Sequence, residues 1–290
     1  MSARLAIGSQ EHKVLFCRAL IDTHDPYDPA RIQWPDIDTA SRDRIAALPF
    51  WQDAIADEYN AHRKLEALAA RQDDPLLAEA LAMQGREEGR HARIIEGLLR
   101  AYGIPVAPLA PASPPANPEF AYMKLGYGEC CDSFFAFGMF KIAERSGFFP
   151  KALVQVFEPI VQEEARHIVF FQNWVAYVRA NRPALHRPLH RLTCARSLAL
   201  SVWTRARIGL SLTRGGGPKE RKSSEGFDGV SLRQYLELCQ AENTRRVAGF
   251  DPRLLRPTLI PGLVGGAIRL LPRGRAGDAP GGDAKTAGAP

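Results

Sequence analysis

Hydrophobic positions in the middle of the chain recur at helical intervals. From about Pro49, Trp51, Ile55, Leu65 and Leu68 fall at combinations of three- and four-residue steps with alanines between them, which predicts an amphipathic helix. Asp73, Asp74 and Pro75 stop that helix and start the next, proline being suited to a first helical turn. Leu76, Leu77, Leu81, Ile94, Ile95 and Leu98 carry the second helix to about Tyr102, where Gly103 and Pro105 end it. Residues 105–118 hold six prolines and no charge, so they read as an extended connector. At ~3.1 Å per residue it reaches about 40 Å, the length of a helix of about 25 residues. A third helix is expected from Phe120 to Arg145, a turn at Ser146, Gly147 and Pro150, and a fourth helix from Lys151 to Arg179.

Short hairpin, long crossover, short hairpin is the connectivity of ferritin-like bundles. The fold expected is therefore all-α: a ferritin-like four-helix bundle over 46–181 with one long crossover at 105–118. Apart from Lys13–Ala19, residues 1–45 show little periodicity, and Asp25, Pro26, Asp28, Pro29, Pro35 and Asp36 break it. Residues 182–271 read as a basic helical extension, with a helix over Arg187–Leu212 and a short one capped by Ser231. The tail 272–290 lacks the apolar content to fold.

Charge separates these regions. The net +6 divides into −5 over residues 1–181 and +11 over 182–290, which points to two tasks in one chain. Five cysteines without paired spacing exclude a disulfide scaffold, and no CxxC is present for a zinc ribbon or rubredoxin centre. No uncharged run reaches the ~20 residues of a membrane span. The opening apolar run Leu5–Ile7 is too short for a secretory signal, so a cytoplasmic location is expected.

Two pentapeptides nearly repeat, EEGRH at Glu87–His91 and EEARH at Glu163–His167. Each sets a Glu and a His three residues apart, so Glu88 and His91 share a helical face, as do Glu164 and His167. A dinuclear carboxylate centre needs this pair twice, plus one Glu from each of the other two helices. In an antiparallel hairpin, side chains at one height lie equally far from the turn. Glu58 and Glu88 are equidistant from Asp73, and Glu129 and Glu164 from the Ser146–Gly147 junction, whereas Glu66 and Glu144 fail this test. The candidate ligands are Glu58, Glu88, His91, Glu129, Glu164 and His167. Carboxylate oxygen and imidazole nitrogen together suit iron or manganese.

These residues resemble the ferritin-like di-iron carboxylate superfamily. Within it, the acid-Glu-x-Arg-His pattern is similar to the oxygen-activating branch, which includes the bacterial multicomponent monooxygenases and the magnesium-protoporphyrin ester cyclases. The stretch DPLLAEALAMQGREEGRH, residues 74–91, is particularly similar to the cyclases; the likeness covers about residues 50–178. It implies that Glu87 holds His167 and Glu163 holds His91, with Arg90 and Arg166 neutralising those acids. It also gives Ser133, one turn after Glu129, a place in proton delivery as the catalytic residue, although a small residue for packing is the plainer reading. The cofactors implied are two iron ions, or a manganese–iron pair.

Other positions set this chain apart from other members of the superfamily. Ile95 and Phe171 stand where radical-storing reductase subunits carry tyrosine, and no module for a rubrerythrin-type centre is available. Gly126, Gly128 and Gly138 on the third helix read either as space for oxygen or substrate or as close helix packing. His62, one turn after Glu58, is a further candidate to face the site. Cys130 and Cys131 read as small buried apolar residues.

The function implied is a di-iron oxygenase or hydroxylase, a monooxygenase-type oxidoreductase acting with O2 on an organic substrate of lipophilic kind. The alternative is a ferroxidase or peroxide-reducing protective protein. An oxygenase needs an external electron donor, a ferredoxin or reductase. The arginines at 187, 191, 196, 205 and 207 beside SLALSVWT suit such an acidic donor. They equally suit a peripheral membrane contact through 187–212, which would put the protein at the inner face of the membrane. No nucleic-acid motif accompanies the charge, and a homodimer stays open.

Overall fold

The computed structural model describes residues 5–110, 112–214 and 230–272, and among them all regular structure is helical. The helices are α1 (Gln10–Ile21), α2 (Thr39–Ala47), α3 (Trp51–Ala69), α4 (Pro75–Ala101), α5 (Pro118–Ser146) and α6 (Lys151–Val156), followed by α7 (Glu158–Asn181), α8 (Arg187–Arg214), α9 (Leu232–Val247) and α10 (Leu259–Leu270).

The first hairpin, α3–α4, turns where the sequence places it. Asp74 caps α4 by accepting from the amides of Leu76 and Leu77, and Pro75 occupies the first turn, where its missing N–H costs nothing. The second hairpin contains a correction. A single helix from Lys151 to Arg179 is expected, but the chain breaks at Phe157 into α6 and α7. Pro159 explains the break, since its ring would clash with the carbonyl four residues back and it has no N–H to give. Gly147, at φ 66°, closes α5 in the left-handed conformation that a glycine adopts without strain.

The crossover is extended, as its prolines dictate. Gln52 on α3 exchanges hydrogen bonds with the backbone of Ala107, at 3.0 and 3.1 Å, while Val106 and Leu109 pack over Ile45, Ile55 and Leu98. Asn117 then caps α5.

The largest difference from expectation is at the N-terminus. Residues 10–21 form a helix that lies against α4 and α7 and sends Phe16, Cys17 and Leu20 into the main core. Its polar seam is also bound in. Lys13 pairs with Asp74, and His12 bonds Asn173 on α7 at 3.0 Å. The weak apolar periodicity has a physical cause: two of the positions facing inward are polar and satisfied by specific partners. At the other end, α8 and α9 both pack on α5, and Val247 and Leu254 join the same core. α5 is thus enclosed by α3 and α7 on one side and by α8 and α9 on the other. A Cβ on Gly126 would overlap the Phe171 ring, and one on Gly138 would overlap the Cys239 sulfur. These two glycines serve close packing and do not open a chamber. α10 is a helix the sequence reading does not contain, and residues 273–290 of the expected tail lie outside the described residues.

Candidate metal centre

α3, α4, α5 and α7 bring the six candidate ligands together. His91 Nδ1 lies 3.2 Å from Glu164 Oε1, 3.6 Å from Glu58 Oε2 and 3.8 Å from Glu88 Oε2. His167 Nδ1 lies 3.1 Å from Glu88 Oε1 and 3.9 Å from Glu164 Oε1. The group Glu58, Glu88, His91 and Glu164 has ligand atoms all within 4.8 Å of one another, so it could hold a metal ion. Glu129 reaches the cluster from α5. The Gln84 amide stands between it and Glu88, at 3.5 Å from Glu129 Oε2 and 3.2 Å from Glu88 Oε1.

The acids before the ligand pairs cross the helices. Glu87 on α4 takes the outer nitrogen of His167 on α7, and Glu163 on α7 takes that of His91 on α4, each at 2.7 Å. Arg166 donates to Glu87 at 2.7 Å, and Arg90 donates to Glu163. Each imidazole is therefore fixed at Nε2, and its Nδ1 points into the cluster. Ser133 donates to Glu164 Oε2 at 3.4 Å from one turn beyond Glu129.

The electrostatics divide into two layers. Burial alone would raise Glu87, but the hydrogen bond and charge of His167, the charge of Arg166 and a bond from His24 hold it well below the usual carboxylate range. In the inner layer the balance reverses. Burial raises Glu129 well above the ordinary value, and the carboxylates of Glu88 and Glu164 push it further. Burial also raises Glu88, against the pull of His167. For His91, burial opposes a charge, and Glu163, Glu164 and Glu58 more than offset it, so its pKa lies well above the histidine norm. His167 behaves likewise, with Glu88 as the largest favourable charge.

Whether these residues fit a metal pair is tested by what they leave unsatisfied. Among the described residues, His91 Nδ1, His167 Nδ1 and Glu129 Oε1 are buried with no hydrogen-bond partner. A buried polar atom without a partner costs about 1–3 kcal/mol, and three of them converge here. Glu87 and Glu163 are balanced by Arg90 and Arg166, and the four inner carboxylates face the two imidazoles, with Lys64 as a further cation near Glu129 and Glu88. A cation would offset the carboxylate charge and would accept the free lone pairs. The residues fit.

Several participants carry no motif. Gln84 is buried, and its carbonyl accepts from Tyr122 on α5 at 2.9 Å, which fixes which end of the amide faces the carboxylates. Its spacing, one turn before Glu88 on the same face, was the available signal. The segment after α1 closes the outer side. His24 bonds Glu87 at 2.6 Å, the Asp25 carbonyl accepts from Arg90 at 2.7 Å, and the Leu20 carbonyl accepts from Arg166 at 3.0 Å. Tyr27 lies under the Arg90 guanidinium, 4.0 Å from ring centre to carbon. No spacing in the sequence marks these contacts.

His62 does not face the cluster. Its Nδ1 bonds the Gly85 carbonyl at 2.7 Å, and its Nε2 lies 3.4 Å from Glu66, so it ties α3 to α4. Cys130 is buried, with its thiol pushed up to about 12 by burial, and is inert as expected of a small apolar residue.

Compared with known proteins, the chain matches no family model, no curated protein and no solved structure.

Proposed function

We propose that α3, α4, α5 and α7 form a ferritin-like four-helix bundle whose centre holds two iron ions, and that the protein is an O2-activating oxygenase or hydroxylase. One observation carries this reading: the two imidazoles present unpartnered Nδ1 atoms to a carboxylate cluster while their Nε2 atoms are held by acids from the opposite helix. The atoms nearest to each Nδ1 are carboxylate oxygens, Glu164 Oε1 at 3.2 Å and Glu88 Oε1 at 3.1 Å, so imidazole and carboxylate could share one cation. Glu58, Glu88, His91, Glu129, Glu164 and His167 would hold the metals, which when bound supply Lewis acidity and electron transfer to oxygen.

The chain's own residues account for the rest. Glu87 and Glu163 keep a proton on each Nε2, so each Nδ1 lone pair is available to a cation. Tyr122 holds the Gln84 amide so that its NH2 faces Glu88 and Glu129. Ser133 Oγ donates to Glu164 Oε2 at 3.4 Å, which supports its reading as the group that would deliver a proton there. Tyr27 and His24 cover the Arg90–Glu87 side and keep bulk water from the acids. The two electrons come from a separate donor.

A second reading, a ferroxidase or peroxide-reducing protein, draws on one specific feature. The space beside Gly126 and Gly138 is filled by Phe171 and Cys239, so these two glycines make no room for a large organic substrate.

Metal analysis of the purified full chain tests the assignment. The expected result is about two iron atoms per chain, absent from a Glu88→Ala, Glu164→Ala double variant that keeps its helical circular dichroism. Iron-free protein after growth and loading in ferrous iron would sink it. Product analysis under O2 with a chemical reductant separates the two readings. Insertion of oxygen into added organic substrates favours the oxygenase, and turnover limited to ferrous iron or peroxide favours the protective role.

A further inference from the structure

α8 lies on α5 with its polarity inverted. The seam it buries is His190, Ser197 and Ser201, with Cys194 partly buried between them. Ser201 donates to the Lys124 carbonyl at 2.8 Å, and the Cys194 sulfur sits 3.7 Å from that of Met123. Small side chains let the two helices approach, so the large ones are left outside. Leu189 and Leu192 are each 65% exposed and Trp203 is 62% exposed, with Leu185 at 86% just before the helix. Burial of large apolar side chains is favourable, so a helix that turns these to water forgoes that gain.

The charges follow the same geometry. At 3.6 residues per turn, Leu192 and Trp203 lie opposite the buried seam, exposed Arg191 stands along one edge, and exposed Arg196 lies between Trp203 and Leu189, its guanidinium 5.1 Å from the centre of the Phe120 ring on α5. From Arg187 to Arg214 the sequence contains no acidic residue. The strip from Leu189 to Trp203 runs about 21 Å along one straight helix.

We propose that this strip rests on the surface of a lipid bilayer bearing anionic headgroups. Leucine and tryptophan would enter the interface, and the flanking arginines would reach the headgroups. Among the described residues nothing covers the strip. Segments 215–229 and 273–290 contain one large apolar side chain between them, Phe227. A second copy would bring two rows of arginine together with no acid on either helix. No described helix is long and apolar enough to cross the membrane, so the contact is peripheral. The proposal is independent of the metal.

The test is sedimentation of the full chain with vesicles of phosphatidylcholine, with and without about one-third phosphatidylglycerol, at low salt. Binding is expected to the anionic vesicles. An Arg191→Gln, Arg196→Gln variant should bind about 25-fold more weakly, at roughly fivefold for each cation. A Leu192→Ser, Trp203→Ser variant should lose about tenfold or more. Trp203 is the most exposed of the four tryptophans, so vesicles should blue-shift the emission of the parent and leave Trp203→Phe unchanged. Matching thermal unfolding of parent and variants shows that the fold is intact. Failure to sediment at any composition, or variants that bind as well as the parent, overturns the proposal. So does a strip that vesicles leave untouched but that a soluble acidic protein masks.

Discussion

The facing sides of α4 and α7 and the outer side of α8 both break the rule that apolar side chains go inside and polar ones outside, in opposite directions. Between α4 and α7, four acids, two arginines and two histidines converge on the interior, joined by Glu58 from α3 and Glu129 from α5. Most of their polar atoms have partners there, and three that do not, His91 Nδ1, His167 Nδ1 and Glu129 Oε1, belong to the inner cluster. On α8 the interior seam is small and polar, and the leucines and tryptophan face water. The first inversion is offset internally by crossed pairs. The second is offset by nothing in the described chain. An interior polar cluster with a few convergent unsatisfied atoms points to an ion. An exterior apolar strip points to a surface.

The largest effect that would sharpen this contrast is expected at the crossed pairs. Glu163→Ala removes the partner of both Arg90 and His91 and leaves a buried guanidinium uncompensated. A loss of about 3–5 kcal/mol in denaturant unfolding should follow. A change below about 1 kcal/mol would mean that the interior layer is not the tightly balanced network described.

Next is the pH dependence of the metal-free protein. Glu88, Glu129, His91 and His167 all bind protons more tightly folded than unfolded. The folded state therefore carries more protons, and raising the pH favours unfolding. Stability from these groups is complete below the unfolded carboxyl value of about 4.3 and declines through the unfolded histidine value of about 6.5 and beyond. Glu87, held low, acts oppositely; its contribution is present above the usual carboxylate range and is lost in acid. Urea midpoints should fall from weakly acidic to alkaline pH, and saturating ferrous or manganous ion should flatten that slope by replacing the protons. A midpoint that rises with pH in the metal-free protein would contradict the inner-layer electrostatics.

Gly126→Ala comes third. The added methyl would meet the Phe171 ring and should cost about 1–3 kcal/mol. A neutral result would restore the reading of α5 as walling an open chamber. The smallest effect is expected outside: Trp203→Ser should change stability by less than about 0.5 kcal/mol, despite removing the largest side chain on α8. A large loss would show that Trp203 is packed and that α8 is not inverted.

Much of the interior was legible in sequence because it rests on local spacing. Glu88 with His91, and Glu164 with His167, share faces by helical period alone, and equal distance from two marked turns selects Glu58 and Glu129 over Glu66 and Glu144. In the folded chain Glu66 and Glu144 are side chains 60% and 39% exposed. The break at Phe157 was missed, since a single helix was expected, although Pro159 is a local signal for it. His24, Asp25, Leu20 and Tyr27 were not legible, because backbone carbonyls and a lone histidine acquire their roles only when α1 docks against α4 and α7. His62 shows the limit from the other side: its spacing fits the site, but its ring turns to a neighbouring carbonyl.

The sequence by itself determined that the chain is helical, where its hairpins turn and which six side chains could meet, because periodicity and turn chemistry act over a few residues. Tertiary structure alone decided which nitrogen of each histidine faces the cluster, that the N-terminal helix packs beside it, and that α8 buries Ser197 and Ser201 and presents Leu189 and Leu192. Those outcomes depend on what lies across each interface, and a helix carries no record in its own residues of the surface it will meet.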